Sequence, residues 1–125
     1  MRSLESKIVE YLSPTCDGEP IHAILLSMFD FQISYSIIER IQAKKKVAFS
    51  LREKNYVWNG GLCEAPVWLL VGQVPKSFEI ITKFTLRMNL ASGDYVDFFC
   101  DDSPFEELII DFGINEDGAR VMEIF

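Results

Sequence analysis

Apolar positions recur at helical spacing over the first forty residues and at alternate positions after that. Leu4, Ile8, Val9 and Leu12 fall on one face of a helix, with Ser3 as its N-cap and Ser13-Pro14 as its stop. Thr15 to Pro20 is turn chemistry, rich in Asp, Gly and Pro. A second helix is predicted from Ile21 to Phe29, where Ile21, Ile24, Leu25 and Met28 share a face. A third is predicted from Ile33 to Lys44, carrying Ile33, Ile37, Ile38 and Ile41. Lys44, Lys45 and Lys46 suit the negative end of that helix.

From Val47 the period drops to two. Val47, Phe49 and Leu51 alternate with Ala48, Ser50 and Arg52, the pattern of a half-buried strand. Glu53-Lys54-Asn55 turns the chain into Tyr56-Val57-Trp58, and Asn59-Gly60-Gly61 supplies a further turn. Val67 to Val71 is a continuous apolar run and reads as a central strand. Phe78, Ile80, Phe84, Leu86, Met88 and Leu90 mark one face of a long strand, which needs a bulge or bend near Ile81-Thr82. Asp94 to Cys100 follows as another strand. Ser103-Pro104-Phe105-Glu106 has Ser at the N-cap, Pro at the first helical position and Glu at the third, a capping box that opens a late helix ending at Gly113. Asn115 to Gly118 is a turn, and Arg120 to Phe125 a last strand. The pattern predicts one α+β domain over residues 1–125: N-terminal short helices followed by a mostly antiparallel sheet with one late helix.

Composition agrees with a globular domain: 125 residues, 49% apolar and 25% charged. Cys16, Cys63 and Cys100 are odd in number, widely spaced and without a CxxC pair. They predict reduced thiols rather than a disulfide framework or a zinc site. The N-terminal residues lack the apolar stretch of a signal peptide, and no run is long enough to cross a bilayer, so a cytoplasmic protein is expected.

Charge changes the picture more than composition does. The net charge is −7, and it is concentrated: residues 91–125 hold ten carboxylates against Arg120 alone, while the first ninety residues are slightly positive. These acids are interleaved with Tyr95, Phe98, Phe99, Phe105 and Phe112 rather than forming a polar tail. Such a surface repels nucleic acid and attracts basic partners. Aromatic side chains supply binding area while charge steers the encounter. The expected partner-binding residues are therefore Asp94, Asp97, Asp101, Asp102, Glu106, Glu107 and Asp111, with Tyr56 and Trp58 as exposed anchors beside their turn. Trp68, inside the apolar run, is expected in the core.

Catalytic chemistry finds little support. The single histidine, His22, has no local nucleophile or carboxylate to complete a triad. No phosphate loop, EF-hand spacing or Cys/His metal set is present, and no cofactor or metal is expected. Helix, helix, helix and strand pair is the element order of a winged helix-turn-helix. In that reading Gln32, Ser34, Ser36, Glu39, Arg40 and Gln42 would face DNA, with the three lysines on phosphates, but the charge balance opposes it. A third possibility is an accessory subunit whose Phe-rich sheet lines a pocket. The favoured expectation is a non-enzymatic acidic binding protein that occludes the active site of a basic toxin such as a nuclease. The profile of size, acidity and missing catalytic motifs is similar in class to bacterial toxin-neutralising immunity proteins.

Overall fold

In the computed structural model, which describes residues 4–60, 65–100 and 108–125, alternation governs nearly the whole chain. One short helix, α1 (Ser6–Leu12), is followed by ten strands: β1 (Ile21–Leu26), β2 (Phe31–Tyr35), β3 (Ile38–Ala43), β4 (Lys46–Leu51), β5 (Lys54–Trp58), β6 (Pro75–Thr82), β7 (Thr85–Leu90), β8 (Tyr95–Phe99), β9 (Leu108–Ile114) and β10 (Arg120–Ile124). They form two five-stranded antiparallel sheets, ordered β1-β2-β3-β9-β10 and β5-β4-β8-β7-β6. The inward residues of both sheets belong to one core cluster.

The two sheets cross at a steep angle. Phe31, at the start of β2, lies 5.9 Å from Trp58 of β5 and 6.1 Å from Phe49 of β4. Tyr35, at the other end of the same strand, stacks 6.4 Å from Phe78 of β6, which forms the opposite edge of that sheet. One strand thus spans the facing sheet from side to side, as in orthogonal sandwiches. The open side beside β6 is closed by the N-terminal segment: α1 buries Ile8 and Leu12, and the Leu4 N–H donates to Lys83 O in the β6–β7 turn. Thr15 Oγ1 and the buried Tyr35 hydroxyl lie 2.7 Å apart, tying the end of that segment to β2.

This architecture overturns the α+β expectation. Only the first predicted helix forms, capped by Glu5 in extended conformation without a side-chain bond. The second predicted helix is β1, and the third is split into β2 and β3. The late helix is contradicted from Leu108 onward, where the chain is β9; its capping box, Ser103 to Glu106, lies outside the described residues. A winged helix-turn-helix is excluded with the helices, because its reading residues sit on β2, β3 and the turn between them. The Val67–Val71 strand is instead a 3-10 turn, Val67–Leu70. The long strand expected from Phe78 to Leu90 is a hairpin, β6–β7, with a register shift between Ile80 and Thr82 at the expected irregularity.

Local backbone chemistry explains one hairpin at a cost. β4 and β5 pair up to Leu51 and Lys54, leaving the two-residue loop Arg52-Glu53, with φ of +52° and +70°. That backbone belongs to Asn-Gly sequences, and non-glycine residues are strained there. Asp94 supports it by accepting from the Arg52 N–H at 3.1 Å and from Ser50 Oγ at 3.2 Å. The double substitution Arg52→Asn/Glu53→Gly should therefore raise stability by about 1 kcal/mol, read as a higher denaturant midpoint at unchanged slope. A lower midpoint would show that the wild-type side chains do more than tolerate the turn.

Candidate functional site

Three β-bulges fall at the same end of the first sheet. Between β1 and β2, His22 is an extra residue on β1. Between β2 and β3, Glu39 and Arg40 stand opposite Ser34 alone. Between β9 and β10, Phe112 and Gly113 stand opposite Val121 alone. Bulges bend a strand, increase its twist and re-aim side chains. Together they curl this end of the sheet into an open groove of about 1000 Å³, bounded by Tyr11 of α1, the β2–β3 turn at Ser36-Ile37 and the β9–β10 turn at Asn115-Glu116.

The groove has an apolar rim and an acidic lining. Ile37, Ile114 and Val121 are exposed along it. Among the described residues thirteen line it; they include the carboxylates Glu39 and Glu116 and the imidazole of His22, and neither Lys nor Arg, so the described lining carries negative charge. A third acid braces the rim: Ser36 Oγ donates to Asp17 Oδ2, and that bond, with a second from the Glu19 N–H, lowers the Asp17 pKa below its usual 3.8. Gly113 is needed where it stands. Its φ is +81°, and a Cβ there would come 3.1 Å from Glu39 Cγ.

Beside the groove lies a buried ion cluster. Asp111 is fully buried; its Oδ2 accepts from Arg120 Nη1 at 2.6 Å, with Arg40 Nη2 at 4.0 Å, and its Oδ1 accepts from the Gly113 N–H at 2.9 Å. The second sheet has a counterpart. Asp97, also buried, receives Arg87 Nε and Nη2 at 2.8 and 2.9 Å, while the same guanidinium lies 4.0 Å over the Tyr95 ring. That bidentate bond is the main cause of the raised Arg87 pKa.

The acids expected to face a partner are thus differently engaged. Asp94 holds a hairpin loop, and the buried Asp97 and Asp111 each hold a partly exposed arginine. Asp101, Asp102, Glu106 and Glu107 lie outside the described residues. Tyr56 is half-buried and stacks 5.5 Å from Phe49. The two tryptophans exchange their expected places: Trp58 is 0% exposed in the core, whereas Trp68 is 66% exposed on its 3-10 turn. The Phe-rich pocket expected for an accessory subunit does not coincide with this groove, where Phe112 is the only phenylalanine among the described lining residues. Sequence reasoning missed His22, Glu39, Gly113 and Glu116 as neighbours, because a bulge leaves no motif.

Comparison of the chain with protein-family models, curated proteins and solved structures gives no match. Among the described residues no helix is long and apolar enough to cross a membrane.

Proposed function

We propose that the protein is a non-enzymatic binding protein that receives a basic segment of a protein partner in the groove made by the three bulges. The observation that carries this reading is the lining itself: Glu39 and Glu116 between exposed Ile37, Ile114 and Val121, with no Lys or Arg among the described lining residues. Apolar rim residues supply area, and carboxylates select lysine or arginine and accelerate encounter. A net charge of −7 extends the same preference over long range. Neutralisation of a basic toxin by occlusion is the specific form we favour. Its acids would be those of the groove, since Asp94, Asp97 and Asp111 are already committed within the fold. In this reading the protein works in the cytoplasm, where a thiol such as that of Cys16 stays reduced.

The test uses a lysine- and arginine-rich peptide as probe, followed by amide chemical shifts and by anisotropy at about 20 and 200 mM salt. Saturable binding, at least tenfold weaker at the higher salt, with shifts centred on Ser36, Glu39, Ile114 and Glu116, is the expected result. Glu39→Lys/Glu116→Lys should abolish it, while Glu79→Lys on the other sheet should leave most of it. Binding that ignores the groove pair, or shifts centred elsewhere, would remove this site from the reading.

A further inference from the structure

We infer that Arg40, beside the groove, is a binding site for a carboxylate, left available because Arg120 already holds Asp111. Two guanidiniums converge on one buried acid, and they are not equally engaged. Arg120 makes the short bond to Asp111, whereas the nearest approach of Arg40 is a 4.0 Å ion pair. Arg40 Nε is shielded from solvent and has no hydrogen-bond acceptor among the described residues. An arginine donor left unmatched in this way favours any conformation or ligand that supplies an acceptor.

The protein itself shows which acceptor fits. On the second sheet Arg87 grips a carboxylate side-on, with Nε and a terminal nitrogen each bonded to one oxygen of Asp97. Arg40 carries the same pair of donors. Its side chain is 36% exposed, so rotation about its outer torsions can turn that edge to solvent. Asp111 would keep Arg120 and the Gly113 N–H in that case. The bulge formed by Glu39 and Arg40 places this arginine on the side of the strand where Asp111 lies, as their direct pairing across β3 and β9 requires.

Local charge allows the ligand although the whole protein is acidic. The cluster is one carboxylate against two guanidiniums, and charges beyond about 8 Å are screened at physiological ionic strength. Glu39, packed over Gly113, is the nearby acid that opposes an incoming anion. A free small carboxylate and the C-terminal carboxylate of a peptide present the same group, so both belong in the test.

Arginine Nε–Hε resonances report the site directly. The protein of residues 1–125 is titrated with sodium acetate at ionic strength held constant with chloride, and separately with N-acetyl-dialanine and its C-terminal amide. A saturable shift of the Arg40 Nε–Hε signal and of the Gly113 amide is expected with acetate, and with the dipeptide acid but not the amide. Tighter binding of the dipeptide acid than of acetate assigns the site to chain termini; equal binding assigns it to small carboxylates. Arg40→Gln, which leaves the Arg120–Asp111 bond in place, should weaken binding at least tenfold, and Glu39→Gln should tighten it two- to fivefold. A shift no different from that with chloride alone would overturn the inference. So would saturation by inorganic phosphate but not acetate, or full binding by Arg40→Gln. Because the decisive titration is on the wild-type protein, failure of a variant to fold does not shield the idea.

Discussion

Trp58→Ala should lower stability by about 3–5 kcal/mol, whereas Trp68→Ala should change it by no more than about 0.5 kcal/mol. The two residues are ten apart, chemically identical and opposite in environment. Trp58 is completely buried at the end of β5 and packs 5.9 Å from Phe31, which in turn contacts Phe49, itself stacked on Tyr56. This aromatic chain joins β2 of one sheet to β4 and β5 of the other. Truncating Trp58 therefore loses its transfer free energy, leaves a cavity and removes ring contacts across the sheet interface. Small domains have only about 5–15 kcal/mol in total, so the variant should sit close to its unfolding threshold at 37 °C. Chemical denaturation followed by far-ultraviolet circular dichroism measures the difference. Emission offers an independent check: Trp68→Phe should leave one blue-shifted fluorophore, and Trp58→Phe one red-shifted one. Equal stability losses at the two positions would contradict the packing described for both.

Alternation at 56 and 58 already places Tyr56 and Trp58 on one face of β5, and it was the adjacent Asn-Gly turn that made Trp58 look exposed. The strands from Val47 to Trp58 and those after Asp94 and Arg120 were legible in this way, because they keep their period; near Ile81 the pattern marked a bulge or bend in one long strand, where the chain instead reverses into a hairpin. The first sheet was not, and the bulges explain why. Ile21 and Ile24 both face inward, but the extra residue at His22 stretches their separation from two to three. Ile38 and Ile41 are separated in the same way by Glu39 and Arg40. An i, i+3 step of isoleucines imitates a helical face. The signal against a helix was residue type: Ile21, Ile24, Ile33, Ile37, Ile38 and Ile41 are all β-branched, and Ser27 to Asp30 is a turn closed by Ser27 Oγ on Asp30 Oδ1. Preference for strand in the side chain outweighed spacing.

The same irregularities that hid the fold also build the candidate site. Each bulge contributes groove-lining residues, so the feature that breaks the sequence pattern is the one that shapes the surface. Charge counting alone does not show how the acids are distributed over the fold. Ten acids within thirty-five residues suggested a continuous face, and a strand sends alternate members to opposite sides. The direct pairing of Ala48 with Asp97 and of Arg40 with Asp111 then fixes where each carboxylate goes.

The ion cluster on the first sheet should be the second most sensitive point of the protein, and it should be sensitive in one direction. Arg40→Met/Arg120→Met is expected to cost about 3 kcal/mol or more, because it leaves the Asp111 carboxylate buried with the Gly113 N–H as its remaining described donor. Asp111→Leu alone should cost less. It frees two arginines whose side chains are 36% and 48% exposed and can turn to water. The triple variant Arg40→Met/Asp111→Leu/Arg120→Met should recover to within about 1 kcal/mol of wild type, since an apolar cluster of similar volume carries no desolvation penalty. Salt separates the terms further. About 1 M sodium chloride should weaken the contribution of the half-exposed arginines and so narrow the gap between wild type and the double variant, without stabilising the double variant itself, because the stranded carboxylate is out of reach of counterions. The order double variant, then Asp111→Leu, then triple variant, from least to most stable, is the specific expectation. If Asp111→Leu were the least stable of the three, Asp111 would be stabilised by more than its two arginines, and its burial could not be the reason for the cluster's cost.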